Sequence, residues 1–183
     1  MLKATLVSSK EELQQIHLLN EKNLRNNISS NEQEQEGFVS WLYPISLLEQ
    51  VQNLAPSIIV KDGERVAGYA LTTPKEAAAF HPDLRDLFIN IEKVNFKGKP
   101  LIEHNFYFMG QICIDKDYRG KGIVDLLYQK HKEAYSARYD FILTEISTRN
   151  IRSQKAHEKV GFKTIYTYRD SMDEWNVVVW EWD

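Results

Sequence analysis

The sequence predicts an α/β protein with antiparallel hairpins at both ends and a strand–helix–strand crossover near the centre. Three observations carry this. Asp62-Gly63 separates two apolar runs, residues 57–60 and 65–72, which is a strong hairpin signal. The aromatic-rich run 102–114 passes through a glycine-bearing loop (120–122) into a helical pattern (123–138) and then a second apolar run (140–147). Two strands joined through a helix lie parallel. Residues 162–168 and 175–182 then read as two further strands that close the chain.

The remaining elements follow in order. Residues 2–7 alternate loosely as a first strand. Ser9 stands three residues before Glu12, a capping-box spacing, and opens a helix in which Leu13, Ile16, Leu19 and Leu24 share an apolar stripe. Residues 26–30 are turn-rich. Residues 32–44 hold one or two short helices, and 46–54 another helical turn or so that ends before Pro56. Residues 75–94 read as helix with a breaker at Pro82, followed by a turn at 97–100. Residues 152–160 form a helix closed by Gly161.

Composition narrows the classes. The chain has 183 residues, 43% hydrophobic and 27% charged, with a net charge of −3. That suits a single soluble domain over residues 1–183 with its own core. It disfavours a globally basic nucleic-acid binder and a polybasic membrane surface. A single cysteine, Cys113, cannot form an internal disulfide, and there is neither a long apolar span nor a secretory apolar region. The expectation is a cytoplasmic protein, with no nucleic acid and no membrane among its partners. The five histidines show no metal-ligand spacing, so no metal is expected. The charge is uneven, however. Residues 116–163 carry 11 Lys or Arg against 6 Asp or Glu, or +5, which leaves −8 for the rest. A basic helix face would explain this; so would a site for a polyanion.

Two motifs decide between these. In the first, Arg119-Gly120-Lys121-Gly122-Ile123-Val124 joins a strand to a helix start. Glycines allow close approach, and free first-turn amides with the helix dipole attract phosphate. A Walker loop is absent, and the third glycine of a dinucleotide fingerprint would fall on Asp125. In the second, residues 150–162 run Asn150, Ser153, His157, Gly161, Phe162 at spacings that place Ser153 and His157 on one helix face. In this order, with a helix and one strand between them, the two motifs resemble the coenzyme A loop and the following signature helix of the GNAT superfamily of N-acetyltransferases. Val124 departs from the glycine or alanine preferred there.

The resemblance implies a mixed, mostly antiparallel sheet of about seven strands with helices on both faces. Its fourth and fifth strands, residues 102–114 and 140–147 here, run parallel and splay apart. Acetyl-CoA would be the co-substrate, held by the backbone of Ile112, Cys113 and Ile114, the loop Arg119, Gly120, Lys121, Gly122, Ile123 and Val124, and Asn150 and Ser153. The implied reaction is direct transfer of an acetyl group to an amine of a small molecule or protein; the alternative is a non-catalytic acyl-CoA-binding or regulatory module. The thiol of Cys113 reads as a small packed side chain. Glu145 is the candidate general base, against a solvent-facing glutamate or one paired with Arg149 or Arg152. Glu103, His104 and Tyr107 follow it. His157 occupies the place of a family tyrosine and is the candidate acid, as an imidazolium. The acceptor site maps to residues 24–43 and 168–175, with Phe38, Trp41 and Tyr43 as candidate walls and Glu32, Glu34 and Glu36 as candidate attractors. Residues 75–99 exceed a minimal connection, consistent with a lid, a homodimer contact or an extra helix pair.

Overall fold

A computed structural model describes residues 1–182, with the side chains of residues 34–36 outside the description. In chain order the elements are β1 (Leu2–Leu6), α1 (Lys10–Lys22), α2 (Ser30–Glu36), α3 (Ile45–Leu54), β2 (Ile58–Asp62), β3 (Arg65–Pro74) and α4 (Pro82–Ile91). They continue with β4 (Asn95–Phe96), β5 (Lys99–Pro100), β6 (Phe106–Ile114), α5 (Ile123–Tyr135), β7 (Phe141–Ser147), α6 (Ile151–Val160), β8 (Lys163–Arg169) and β9 (Glu174–Glu181). Seven strands form one sheet in the order β1-β2-β3-β6-β7-β9-β8, and β4 and β5 form a separate two-stranded ribbon. Within the large sheet β6 and β7 are parallel and the other neighbours antiparallel.

Strand alternation sends successive side chains to opposite faces, and helices cover both. On one face α5 lays Ile123, Leu127 and Tyr128 against Val60, Tyr107 and Met109. On the other, α1 and α3 lay Ile16, Leu47 and Val51 against Ile59, Tyr69 and Leu71. Further along that face α4 contributes Phe88 and Ile91 to a cluster with Phe106, Phe108, Phe141 and Val177. Each such fully buried side chain is worth about 1.5–3 kcal/mol of transfer free energy.

Three local expectations are revised. Residues 101–103 form a 3-10 turn, so the strand begins at Phe106 and not at residue 102, and Glu103 and His104 lie outside it. Pro82 is no breaker inside a helix. It opens α4 behind the cap His81, where its missing N–H costs nothing. The capping box at Ser9 is half made: Ser9 Oγ accepts from Glu12 N–H at 3.2 Å, but the Glu12 carboxylate takes Ser8 N–H at 2.7 Å and Lys61 at 2.9 Å. The reciprocal box is at Ser29 and Glu32, which start α2.

Two irregularities of β6 shape the middle of the sheet. Its register against β3 passes from Ala70↔Ile112 to Thr72↔Met109, so Gly110 and Gln111 oppose Leu71 alone, a β-bulge. A Cβ on Gly110 would lie 2.5 Å from Tyr43 Oη and 2.6 Å from Thr73 Oγ1, so the bulge needs glycine. On its other side β6 pairs with β7 only over Phe106–Phe108 and Phe141–Leu143, after which the two diverge. Thr144 Oγ1 donates to Met109 O at 2.8 Å where they part.

Candidate active site

The divergence of β6 and β7 opens two adjoining cavities. The first, about 300 Å³, is lined by Ile112, Cys113 and Ile114 of β6, by the loop residues Arg119, Gly120, Gly122, Ile123 and Val124, and by Asn150 and Ser153 of α6. The second, about 560 Å³, lies beyond it, between α4, the 38–43 segment, β7 and the β8–β9 turn. Phe38, Val39, Ile112, Asn150, Ser153 and His157 border both.

Loop conformation explains the first cavity. Gly120 and Gly122 have φ of +76° and +75°, left-handed values that cost a residue with a Cβ about 1–2 kcal/mol. A Cβ would meet nothing within 4 Å at either position, so glycine is required by conformation and not by space. Gly122 caps α5, and the first intrahelical bond runs from Leu126 N to Gly122 O at 3.2 Å. The N–H groups of the first turn precede that bond and have no acceptor within the helix, leaving a positive mouth. Arg119 anchors the loop, donating to Asn23 Oδ1 at 2.8 Å and to Ile114 O at 3.3 Å. Arg152 and Lys159 add positive charge to the lining, and Lys159 also lies 3.6 Å from Asp125. Of the predicted loop residues, Lys121 is not on the cavity wall; its ammonium lies 4.8 Å over the Tyr118 ring.

Asn150 caps α6, its Oδ1 accepting from Ser153 N–H at 3.3 Å, while its Nδ2 donates to Phe38 O at 3.2 Å. One side chain thus fixes the helix start and ties it to the segment that walls the second cavity. His157 is buried. Its Nδ1 lies 2.7 Å from Ser153 O, a carbonyl that can only accept, so Nδ1 carries the proton. Nε2 then accepts from Tyr128 O–H at 2.7 Å. Burial pushes the imidazole pKa down to about 4. The imidazolium expected from sequence does not fit this surrounding: the ring is neutral and both nitrogens are engaged.

Glu145 stands on β7 opposite Val177 of β9 and lines the second cavity. Tyr168 O–H donates to its Oε1 at 2.8 Å. Burial pushes its carboxyl up to about 8, opposed by the Tyr168 hydrogen bond and reinforced by the negative charge of Asp170. It does not pair with Arg149, which holds Asp173 at 2.7 Å. The other base candidates lie elsewhere: Glu103 is exposed, His104 contacts Phe96 O at 2.8 Å, and Tyr107 O–H is 2.8 Å from His131 Nδ1 in the core beneath α5. Cys113 is packed against the α1–α3 side, and burial pushes its thiol up to about 12, far from a reactive thiolate.

Comparison with known proteins now bears on this geometry. The model of the acetyltransferase (GNAT) family matches residues 22–162. The chain belongs to the GNAT acetyltransferase family. No curated protein matches the sequence. The fold resembles solved structures at low identity. The ribosomal-protein-S18-alanine N-acetyltransferase of Escherichia coli superposes with TM-score 0.66 at 10% identity, covering 99% of this chain and 94% of that one. An N-acetyltransferase of Staphylococcus aureus Mu50 gives 0.63 at 19%, covering 100% and 99%. The yncA protein of Salmonella typhimurium, solved with its cofactor acetyl-CoA, gives 0.61 at 13%, covering 100% and 94%.

For this GNAT chain, the family motifs account for the first cavity and leave most of the second unread. Phe38, Trp41 and Tyr43 do line the second cavity, but so do Asp83, Asp86, Leu87 and Asn90 of α4, from the segment whose role was open. Their i, i+3, i+4, i+7 spacing puts them on one helix face, the signal that could have found them. Arg152 and Lys159, seven apart on α6, were legible in the same way. Glu32 does not reach either cavity; it closes its capping box and pairs with Lys116 at 2.7 Å. The side chains of Glu34 and Glu36 lie outside the description. Among the described residues, no group of three or more His, Cys, Asp and Glu could hold a metal ion, and no helix is long and apolar enough to cross a membrane.

Proposed function

We propose that this chain, working as one domain over residues 1–183, moves an acetyl group from acetyl-CoA to an amine by direct attack on the thioester, with Glu145 as general base. The observation that carries the reading is the placement of Glu145: a raised-pKa carboxyl lining the cavity that adjoins the phosphate-binding loop. The residues present fit the cofactor. Two positive-φ glycines and the first turn of α5 form a cradle for its phosphates, with Arg119, Arg152 and Lys159 around it. The unpaired edge of β6 beyond Phe108 offers backbone groups to its amide arm. When bound, acetyl-CoA supplies an activated acetyl group.

Glu145 takes a proton from the incoming ammonium, whose lone pair then becomes the nucleophile. The N–C bond forms as the C–S bond breaks. Of the two protons the ammonium gives up, one ends on the thiolate sulfur and one leaves to solvent through Glu145. Neutral His157 orients Ser153 and the α6 start and does not serve as an acid. The test is Glu145→Gln. Thiol release is expected to fall about 10²-fold or more, with acetyl-CoA affinity by calorimetry unchanged. An unaltered rate across pH 6–9 would remove Glu145 as base, and no acetyl-CoA binding by the wild type would remove the enzyme reading.

A further inference from the structure

The two adjoining cavities carry opposite charge. The first takes Arg119, Arg152 and Lys159 against Asp125. The second takes Asp83, Asp86, Glu145 and Asp170, and among the described residues that line it there is no Lys or Arg. Much of its wall is aromatic and aliphatic: Trp41, Tyr43, Phe108, Tyr168 and Trp175 stand with Leu84, Leu87 and Met109, beside neutral polar groups such as Ser40, Asn90, Gln111 and Ser171. Trp41 packs edge-on against Tyr43 with ring centroids 4.3 Å apart, so this wall is a continuous aromatic surface.

We propose that the acceptor is a small amine with an aromatic or other apolar body and no anionic group. The inference rests on the acetyl-transfer reading above and names its substrate class. Apolar walls reward burial of an apolar body, and ring faces attract its ammonium before deprotonation. A carboxylate or phosphate on the acceptor would find no cation in this cavity and would stand near the carboxylates of Asp83, Asp86 and Asp170 at its exposed rim. Amino acids and phosphorylated amines are thereby expected to be poor acceptors. The volume, about 560 Å³, is in the range of sites that enclose small molecules.

The charges facing the reacting amine come from every side. Glu145 belongs to β7, Asp83 and Asp86 to α4, and Asp170 to the β8–β9 turn, where its Oδ1 already accepts from Met172 and Asp173 N–H. His157 on α6 is neutral. Asp83 lies 3.8 Å from His81, which gives it a partial partner outside the cavity.

The experiment compares matched acceptors that differ by one carboxylate. Thiol release is measured with phenethylamine against phenylalanine and tryptamine against tryptophan, alongside a peptide with an N-terminal alanine. The amines are expected to exceed their amino acids in kcat/KM by about 100-fold or more. An Asp86→Asn/Asp170→Asn variant, its fold checked by acetyl-CoA binding, is expected to narrow that ratio about tenfold. Equal rates for an amine and its amino acid overturn the proposal, as does acetylation of the peptide with both amines silent. If acetyl-CoA binds and none of the five acceptors is acetylated, the transfer reading itself fails, which is a different result from lost discrimination.

Discussion

The phenol of Tyr168 donates to Glu145 Oε1 at 2.8 Å and in turn accepts from Asn90 Nδ2 at 3.4 Å, so a chain of polar contacts runs from α4 to the candidate base. The hydrogen bond favours the ionised carboxyl against the burial that opposes it. Tyr168→Phe is therefore expected to move the acid limb of kcat/KM to higher pH by about one unit, the worth of one hydrogen bond to a charged group. A pH–rate profile of the variant checks this; a limb that stays in place would show that Tyr168 only walls the cavity.

Glu145 also makes a prediction about stability. Its folded pKa of about 8 lies above its ordinary 4.5, so the folded chain holds this proton more tightly than the unfolded one. Folding is therefore unpenalised below about pH 4.5 and loses free energy as pH rises through 8. Glu145→Gln removes the titration. Its Tm relative to wild type is expected to rise between pH 5 and 9, and thermal melts across that range measure the difference.

Gly120 and Gly122 hold left-handed conformations with open space where a Cβ would point. Alanine at either position strains the loop without blocking it, and the loop relaxes away from the conformation that presents its amides. Calorimetry is expected to show acetyl-CoA binding about tenfold weaker for each variant, with thermal stability lowered by about 1–2 kcal/mol.

Tyr128 and His157 predict a contrast between stability and mechanism. Tyr128→Phe leaves buried His157 Nε2 without its donor, at a cost of about 1–3 kcal/mol readable by urea denaturation. The pH–rate profile between 6 and 9 is expected to keep its shape, because His157 stays neutral throughout, well above its pKa of about 4. A profile that lost a limb in this variant would return His157 to the role of acid.

Gly110 tests the bulge. Alanine there meets Tyr43 Oη and Thr73 Oγ1 at 2.5 and 2.6 Å, forcing the 38–43 wall to shift. Overpacking of this kind costs about 1–3 kcal/mol. The acceptor KM is expected to rise more than the affinity for acetyl-CoA falls, which steady-state kinetics and calorimetry separate.

The parts of the site legible in sequence are those whose physics is local. Gly120 and Gly122 announce a left-handed loop wherever they stand, and Asn150 with Ser153 announces a helix cap three residues long. The crossover between β6 and β7 follows from one helix joining two apolar runs. Where tertiary contacts compete with a local pattern, the pattern misled. Glu12 has capping-box spacing, yet Lys61 and the Ser8 amide claim its carboxylate. Residues 102–105 look like strand, yet the chain turns there, with His104 directed to Phe96 O.

The sequence by itself determined the family, the chain order of the main elements and the glycine loop before α5, because each depends on conformational preferences or spacings within a few residues. Only the tertiary structure decided the ionisation and the surroundings of the candidate catalytic groups. Glu145 is 23 residues from Tyr168, and Tyr128 is 29 from His157. Burial and charge partners set a pKa, and they arise from elements that meet only when the sheet closes. The acceptor cavity is decided the same way: its charge sign is a sum over α4, β7 and the β8–β9 turn, and no single stretch of the chain displays it.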